Sequence, residues 1–196
     1  AVIAADPALV ESTYRISGVL GPFTGRLNNA GDVIRVVNAA DATRFEVEYE
    51  SDAPWPVAAD GTGHTLVLAR PSYGEDDLRA WSASEMIGGS PGQVDPVVPN
   101  PLKSIVINEF LAHTDDPVVD FIELYNASNG SVNLSGCILT DDIGTNRFRI
   151  PNGTILGPRA HASFNQSQLG FALSSAGETL YLLSPGADRV LNSVRF

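Results

Sequence analysis

Residues 105–148, IVINEFLAHTDDPVVDFIELYNASNGSVNLSGCILTDDIGTNRF, constrain the fold more than any other stretch. They hold three apolar runs: one ending in Asn108-Glu-Phe110, a second from Asp120 to Asn126, and a third from Val132 to Asp141. A linker rich in Asp separates the first two, and one rich in Asn, Ser and Gly separates the last two. In the second run Ile122 and Leu124 alternate with Glu123 and Tyr125, the period-two signature of a strand with two unlike faces. Short alternating runs joined by turn residues spell three neighbouring strands of a sandwich.

The rest of the chain follows the same grammar. Residues 1–22 are Ala-rich and weakly patterned, with Tyr14–Leu20 as a candidate strand. Turns at 25–31 and 38–41 bracket an apolar run, Asp32–Val37, and lead into Arg44–Glu50. In that last run Phe45, Val47 and Tyr49 face one way and Glu46, Glu48 and Glu50 the other, so one face lies in water. Prolines 54 and 56 flank Trp55 and forbid regular pairing, which makes Trp55 a plug held by a loop. A strand follows at His64–Ala69, and Glu75–Met86 reads either as a helical turn or two or as irregular covering chain. Pro96, Pro99 and Pro101 stiffen an extended linker. Beyond it come a turn at Pro151–Gly153 and strands at His161–Phe164, Glu178–Leu183 and Arg189–Phe196. Neither half shows a long 3.6-residue pattern, so the class is all-β.

The two halves share a block. Leu27-Asn-Asn-Ala-Gly-Asp-Val-Ile-Arg-Val-Val37 matches Leu173-Ser-Ser-Ala-Gly-Glu-Thr-Leu-Tyr-Leu-Leu183 position for position, with Leu, Ala and Gly identical and the acidic residue kept in kind. Each copy runs on through a short turn holding Asp41 or Asp188, with a one-residue slip, to strands ending at Tyr49 and Phe196. A duplicated unit is the reading. The second copy has strands before the block that the first largely lacks, and the first has a segment after it, residues 54–92, that the second lacks. The halves therefore read as different parts of one kind of domain, cut from a longer tandem array.

Composition excludes several roles. The chain of 196 residues carries a net charge of −11. No basic stripe offers a footprint for nucleic acid or anionic lipid. No apolar run approaches the roughly 18 residues that span a bilayer. The opening AVIAAD is too short and uncharged to be a signal peptide, so any targeting segment is expected upstream or already removed. A single cysteine, Cys137, rules out an internal disulfide and sits in an apolar run as a small hydrophobe.

Asn108-Glu-Phe110, Asp120–Asn126, Val132–Asp141 and Phe148–Thr154 together resemble the lamin tail domain family, an immunoglobulin-like β-sandwich of nuclear lamins and large bacterial extracellular proteins. The 27–37 block, Pro54-Trp-Pro56, Asp60–Leu68, Trp81 and Gly88–Gly92 resemble the later part of the same domain. Cys137 departs from the resemblance, standing where a large aromatic is usual. The resemblance implies two lamin-tail-like units: a rear portion at 1–95, a Pro-rich linker at 96–101, and a front portion at 102–196 without closing strands. It also implies a noncatalytic module, appended in bacteria to secreted or surface-bound hydrolases and adhesive chains. The acidic balance, the missing coiled coil and the tandem pattern fit that bacterial branch, with a secreted, periplasmic or cell-surface location.

Asp115, Asp116, Asp120, Asp141 and Asp142 cluster in turns and offer hard oxygen ligands of the kind calcium takes. They lack EF-hand spacing, and Asp serves turns by bonding its own backbone, so no cofactor is expected. Glu109 and Glu123 interrupt strands, but the alternation sends Glu123 to solvent. His64, His113 and His161 are scattered without metal spacing, and no nucleophile elbow exists. Five Asn-x-Ser/Thr sequons, at Asn126, Asn129, Asn133, Asn152 and Asn165, follow from Asn-rich turns. Trp55, Trp81, Tyr73 and Tyr125 are the candidates for an aromatic surface. The expected role is a structural or protein-interaction module, binding protein or extracellular polymer and self-associating through open sheet edges. The alternative is a carbohydrate- or polymer-binding accessory of an extracellular hydrolase.

Overall fold

The computed structural model describes residues 1–196 except Asp115, Asp116 and Asn146. Its residues cluster into two compact units, Ala1–Val97 and Val98–Phe196.

The first unit opens with a helix, α1 (Pro7–Tyr14), where weak patterning had suggested coil and then a strand. Asp6 caps it by accepting from the Leu9 amide at 3.0 Å, Pro7 starts the first turn, and Arg15 ends it in the left-handed region at φ 54°. The expected strand at Tyr14–Leu20 contributes only a single bridge, Leu20 to Ile3. Next comes an antiparallel hairpin, β1 (Gly31–Val37) and β2 (Thr43–Glu50). Val47 is buried and Glu48 exposed, as the alternation requires. A second, shorter pair joins β3 (Leu66–Leu68) to β4 (Trp81–Ala83). Glu75–Met86 thus contains one tight helical turn, Leu78–Ala80, capped by Asp77, and then a strand. Three residues are too few to display a period, which hid β4 from sequence.

In the second unit, β5 (Ile105–Leu111), β6 (Phe121–Asn126) and β11 (His161–Asn165) form a three-stranded antiparallel sheet with β6 central. A four-stranded sheet runs in the order β13, β12, β8, β9, built from Val190–Arg195, Thr179–Leu183, Ile138–Thr140 and Phe148–Arg149. A small pair, β7 (Val132–Asn133) with β10 (Ile155–Leu156), and a short helix, α2 (Gln166–Leu169), complete it. Ile105, Ile122, Leu124, Leu139, Leu180 and Leu182, all essentially inaccessible, pack into one core with Phe164 and Leu173. The third apolar run therefore does not lie beside the second. Gly136, at φ 78°, and a Cys137 N–H to Leu134 O bond of 3.0 Å turn the chain, so β7 and β8 belong to different sheets. The fold class is all-β and immunoglobulin-like, with two short helices as additions.

The shared block folds the same way in both units, down to single hydrogen bonds. In the first, Asn28 O accepts from Gly31 N at 3.3 Å and Asn28 Oδ1 from Ala30 N at 3.0 Å. In the second, Ser174 O accepts from Gly177 N at 3.4 Å and Ser174 Oγ from Ala176 N at 3.1 Å. Asp32 takes the Asn28 amide as Glu178 takes that of Ser174. The hairpin bulge falls between Val36 and Val37 in one copy and between Leu182 and Leu183 in the other. Asn38 N to Ala42 O (3.0 Å) matches Ser184 N to Arg189 O (2.9 Å). Asp41 and Ala187 both sit in the left-handed region, at φ 58° and 55°. Conserved registers, turns and bulges identify one hairpin built twice.

Candidate functional site

Two of the carboxylates singled out from sequence, Asp120 and Asp142, bond within the fold. Asp120 is 4% exposed and closes the loop between β5 and β6, accepting from Thr114 Oγ1 at 2.9 Å and from the Leu173 amide at 2.8 Å. Asp142 caps its own turn: Oδ1 accepts from Gly144 N at 2.7 Å and Oδ2 from Thr145 Oγ1 at 2.9 Å. The Gly144 amide foremost, and then the Thr145 hydroxyl, hold the Asp142 carboxyl below its usual range. Asp141 precedes it at the end of β8, and Asp115 and Asp116 lie outside the described residues. Among the described residues, no three His, Cys, Asp or Glu come together to hold a metal ion.

Glu123 projects from the three-stranded sheet and accepts from Asn108 Nδ2 at 2.9 Å and from Ser163 Oγ at 3.1 Å. It faces Glu109 across the β5–β6 pair. Both neighbours of Glu123 are donors on exposed strands, so the residue ties the outer face of the sheet together. His64 is buried, with Nδ1 2.8 Å from Ser84 O. His113 adopts φ 59° in the loop after β5, and His161 begins β11. Cys137 is fully buried, and burial pushes its thiol up to about 11.

The four aromatic candidates occupy three different settings. Trp55 is only 6% exposed and packs at 5.9 Å, tilted by 51°, on Trp81, whose Nε1 donates to Glu75 O at 2.9 Å. Tyr73 is exposed with the Arg79 guanidinium over its ring at 5.3 Å. Tyr125, in the second unit, stacks on His161 at 4.6 Å, and Arg159 reaches both the Tyr125 hydroxyl (3.3 Å) and Asn129 Oδ1.

Two features escaped the sequence. Asn126, the last residue of the Leu-Tyr-Asn run, is fully buried; its amide donates to Gly130 O, Leu156 O and Gly157 O, and its Oδ1 accepts from Ser128. Its sequon is therefore sealed in the core, and only its place at a strand end before an Asn/Ser/Gly turn hinted at a capping role. The other is a cavity of about 440 Å³ in the first unit, lined by Ile34, Val47, Tyr49, Trp55, His64 and Trp81 among others. It lies on the inward face of the β1–β2 hairpin, a face the strand alternation marks without showing that it is left unfilled.

The second unit, with its three-stranded and four-stranded antiparallel sheets around one core, is an immunoglobulin-like module. Residues 99–194 match the family model of the Lamin Tail Domain, and the second unit belongs to that noncatalytic family. No curated protein matches the chain.

Proposed function

We propose that the chain is a noncatalytic structural and protein-interaction module of a larger secreted or surface bacterial protein. The observation that carries this is the use of the polar side chains. Asp120, Asp142, Glu123 and Asn126, the groups best placed for chemistry, all satisfy backbone or neighbouring side-chain partners of the fold. Acid–base catalysis needs a group that can change partners during a reaction, and these are committed to holding loops and sheets. The family match and the acidic surface, at a net −11, support a scaffold that engages protein rather than phosphate backbones. No helix among the described residues is long and apolar enough to cross a membrane.

The polymer-binding alternative keeps one foothold, the Tyr125–His161 stack flanked by Arg159 on the outer face of the three-stranded sheet. Both readings meet one experiment. The chain is sedimented with insoluble polysaccharides and, separately, cross-linked to the neighbouring segments of its parent protein. A module of the proposed kind stays in the supernatant and forms protein cross-links. Retention on a polysaccharide that is abolished by Tyr125→Ala would favour the alternative instead.

A further inference from the structure

The outer edge of the duplicated hairpin is paired in one unit and open in the other among the described residues. In the second unit β12 lies between β13 and β8, with Tyr181 paired to Thr140 and Leu183 to Ile138. In the first unit the equivalent strand, β1, pairs only with β2 among the described residues. Exposure follows. Leu173, Leu182 and Leu183 are 4%, 0% and 2% exposed, whereas their counterparts Leu27, Val36 and Val37 are 57%, 41% and 47% exposed. The inward faces differ in the same sense. Phe196 packs on Phe110 of the opposing sheet at 4.4 Å, whereas its counterpart Tyr49 lines the cavity of about 440 Å³.

Backbone phase locates the open hydrogen-bonding groups. Glu178 and Phe196 exchange both amide bonds, so residues of even number in β12 face β13 and Tyr181 and Leu183 face β8. By the shared register, Arg35 and Val37 present their N–H and C=O groups to the edge of β1 where no strand lies. Val33, the next outward residue, is already served by Asp32 Oδ1 at 2.8 Å.

We propose that the β1 edge and the cavity beside it form a docking site for the front segment of a lamin-tail sandwich, a polypeptide patterned like residues 99–172. One of its strands, in the position of Ile138–Thr140, adds antiparallel to β1 at Arg35 and Val37. Its apolar strand, in the position of Ile105–Leu111, covers Ile34 and Tyr49, which line the cavity. The second unit shows this occupant on an equivalent hairpin, which is what identifies it here. An intact second copy is disfavoured: its front segment already holds its own hairpin, and exchange would lose as many pairings as it gains. Charged residues along the hairpin, the Arg35–Glu46 ion pair among them, keep the bare edge from pairing indiscriminately. The inference rests on the protein-interaction role proposed above and names its site and partner.

The test uses the full chain and, as probe, residues 99–172 carried on a soluble fusion protein, with the carrier alone as control. The expected result is a one-to-one complex in which amide exchange at Arg35 and Val37 slows by at least ~10-fold. Arg35→Pro removes an edge donor while leaving the backbone hydrogen bonds between β1 and β2 in place, losing only the exposed Arg35–Glu46 ion pair, and should abolish the complex, as should Val37→Asp. Either variant counts only if its circular dichroism spectrum matches that of the parent chain. Absence of a complex would overturn the proposal, as would slowing at Tyr181 and Leu183 instead, which signals exchange into the second unit. Dimerisation of the chain alone with protection at Arg35 and Val37 would overturn it in favour of a second copy. A negative result with the probe leaves the cross-linking experiment above free to succeed, so the two readings fail separately.

Discussion

Asn126 shows how much of the second unit hangs on a single polar side chain. It is fully buried and supplies partners to three carbonyls from two different loops. Each buried group left unpaired costs about 1–3 kcal/mol, so Asn126→Ala should destabilise the unit by at least about 3 kcal/mol. For a domain of this size that lowers the melting temperature by more than about 10 °C, measurable by calorimetry. The exposed Asn133, which only caps Ser135 within its own turn, is the comparison: its Ala variant should change stability by less than about 1 kcal/mol. Composition pointed to Asn-rich turns and to sequons, but not to which Asn turns inward. The two residues share a tripeptide pattern and differ only in tertiary surroundings, which no local pattern encodes. Asp120 repeats the lesson: read as a possible calcium ligand, it is spent on a hydroxyl and an amide, the latter 53 positions along the chain.

At the level of elements, alternation and turn chemistry carried the long strands, and short ones were lost. β5, β6, β12 and the β1–β2 hairpin were legible because five to eight residues suffice to show a period. β4 was not, because three residues show no period, and neither was the break between β7 and β8, because a Gly turn inside an apolar run leaves the run looking continuous. α1 was missed although its Asp6-Pro7 start is a capping signal, since an eight-residue helix with no buried residue has no apolar stripe. The hairpin repeat was visible in full, including the one-residue slip that its turn absorbs. Within it, Glu178 accepts the Ser174 amide while partial burial raises its carboxyl above the usual range. A raised folded value means that stability is full below the unfolded carboxyl value and falls as pH rises through the folded one. Glu178→Gln, which keeps the acceptor, should therefore raise the melting temperature at pH 7. The gain should vanish below about pH 4, where the glutamic acid is itself neutral.

At the scale of the whole molecule, each of two compact units carries a copy of the same hairpin. Asp120 and Asp142 hold their loops through hydrogen bonds, which predicts that folding does not depend on calcium. Thermal melts with millimolar calcium and with a chelator should superimpose; a calcium-dependent rise would assign the turn carboxylates a ligand role after all. The central claim is that equivalent strands are covered in one unit and open in the other. Residue-resolved amide exchange of the intact chain tests it most directly. Tyr181 and Leu183 should exchange only through unfolding of the second unit, while Arg35 and Val37 exchange orders of magnitude faster despite occupying the same register. Equal protection at the two pairs would contradict the claim, because it would require a strand already lying on the edge of β1.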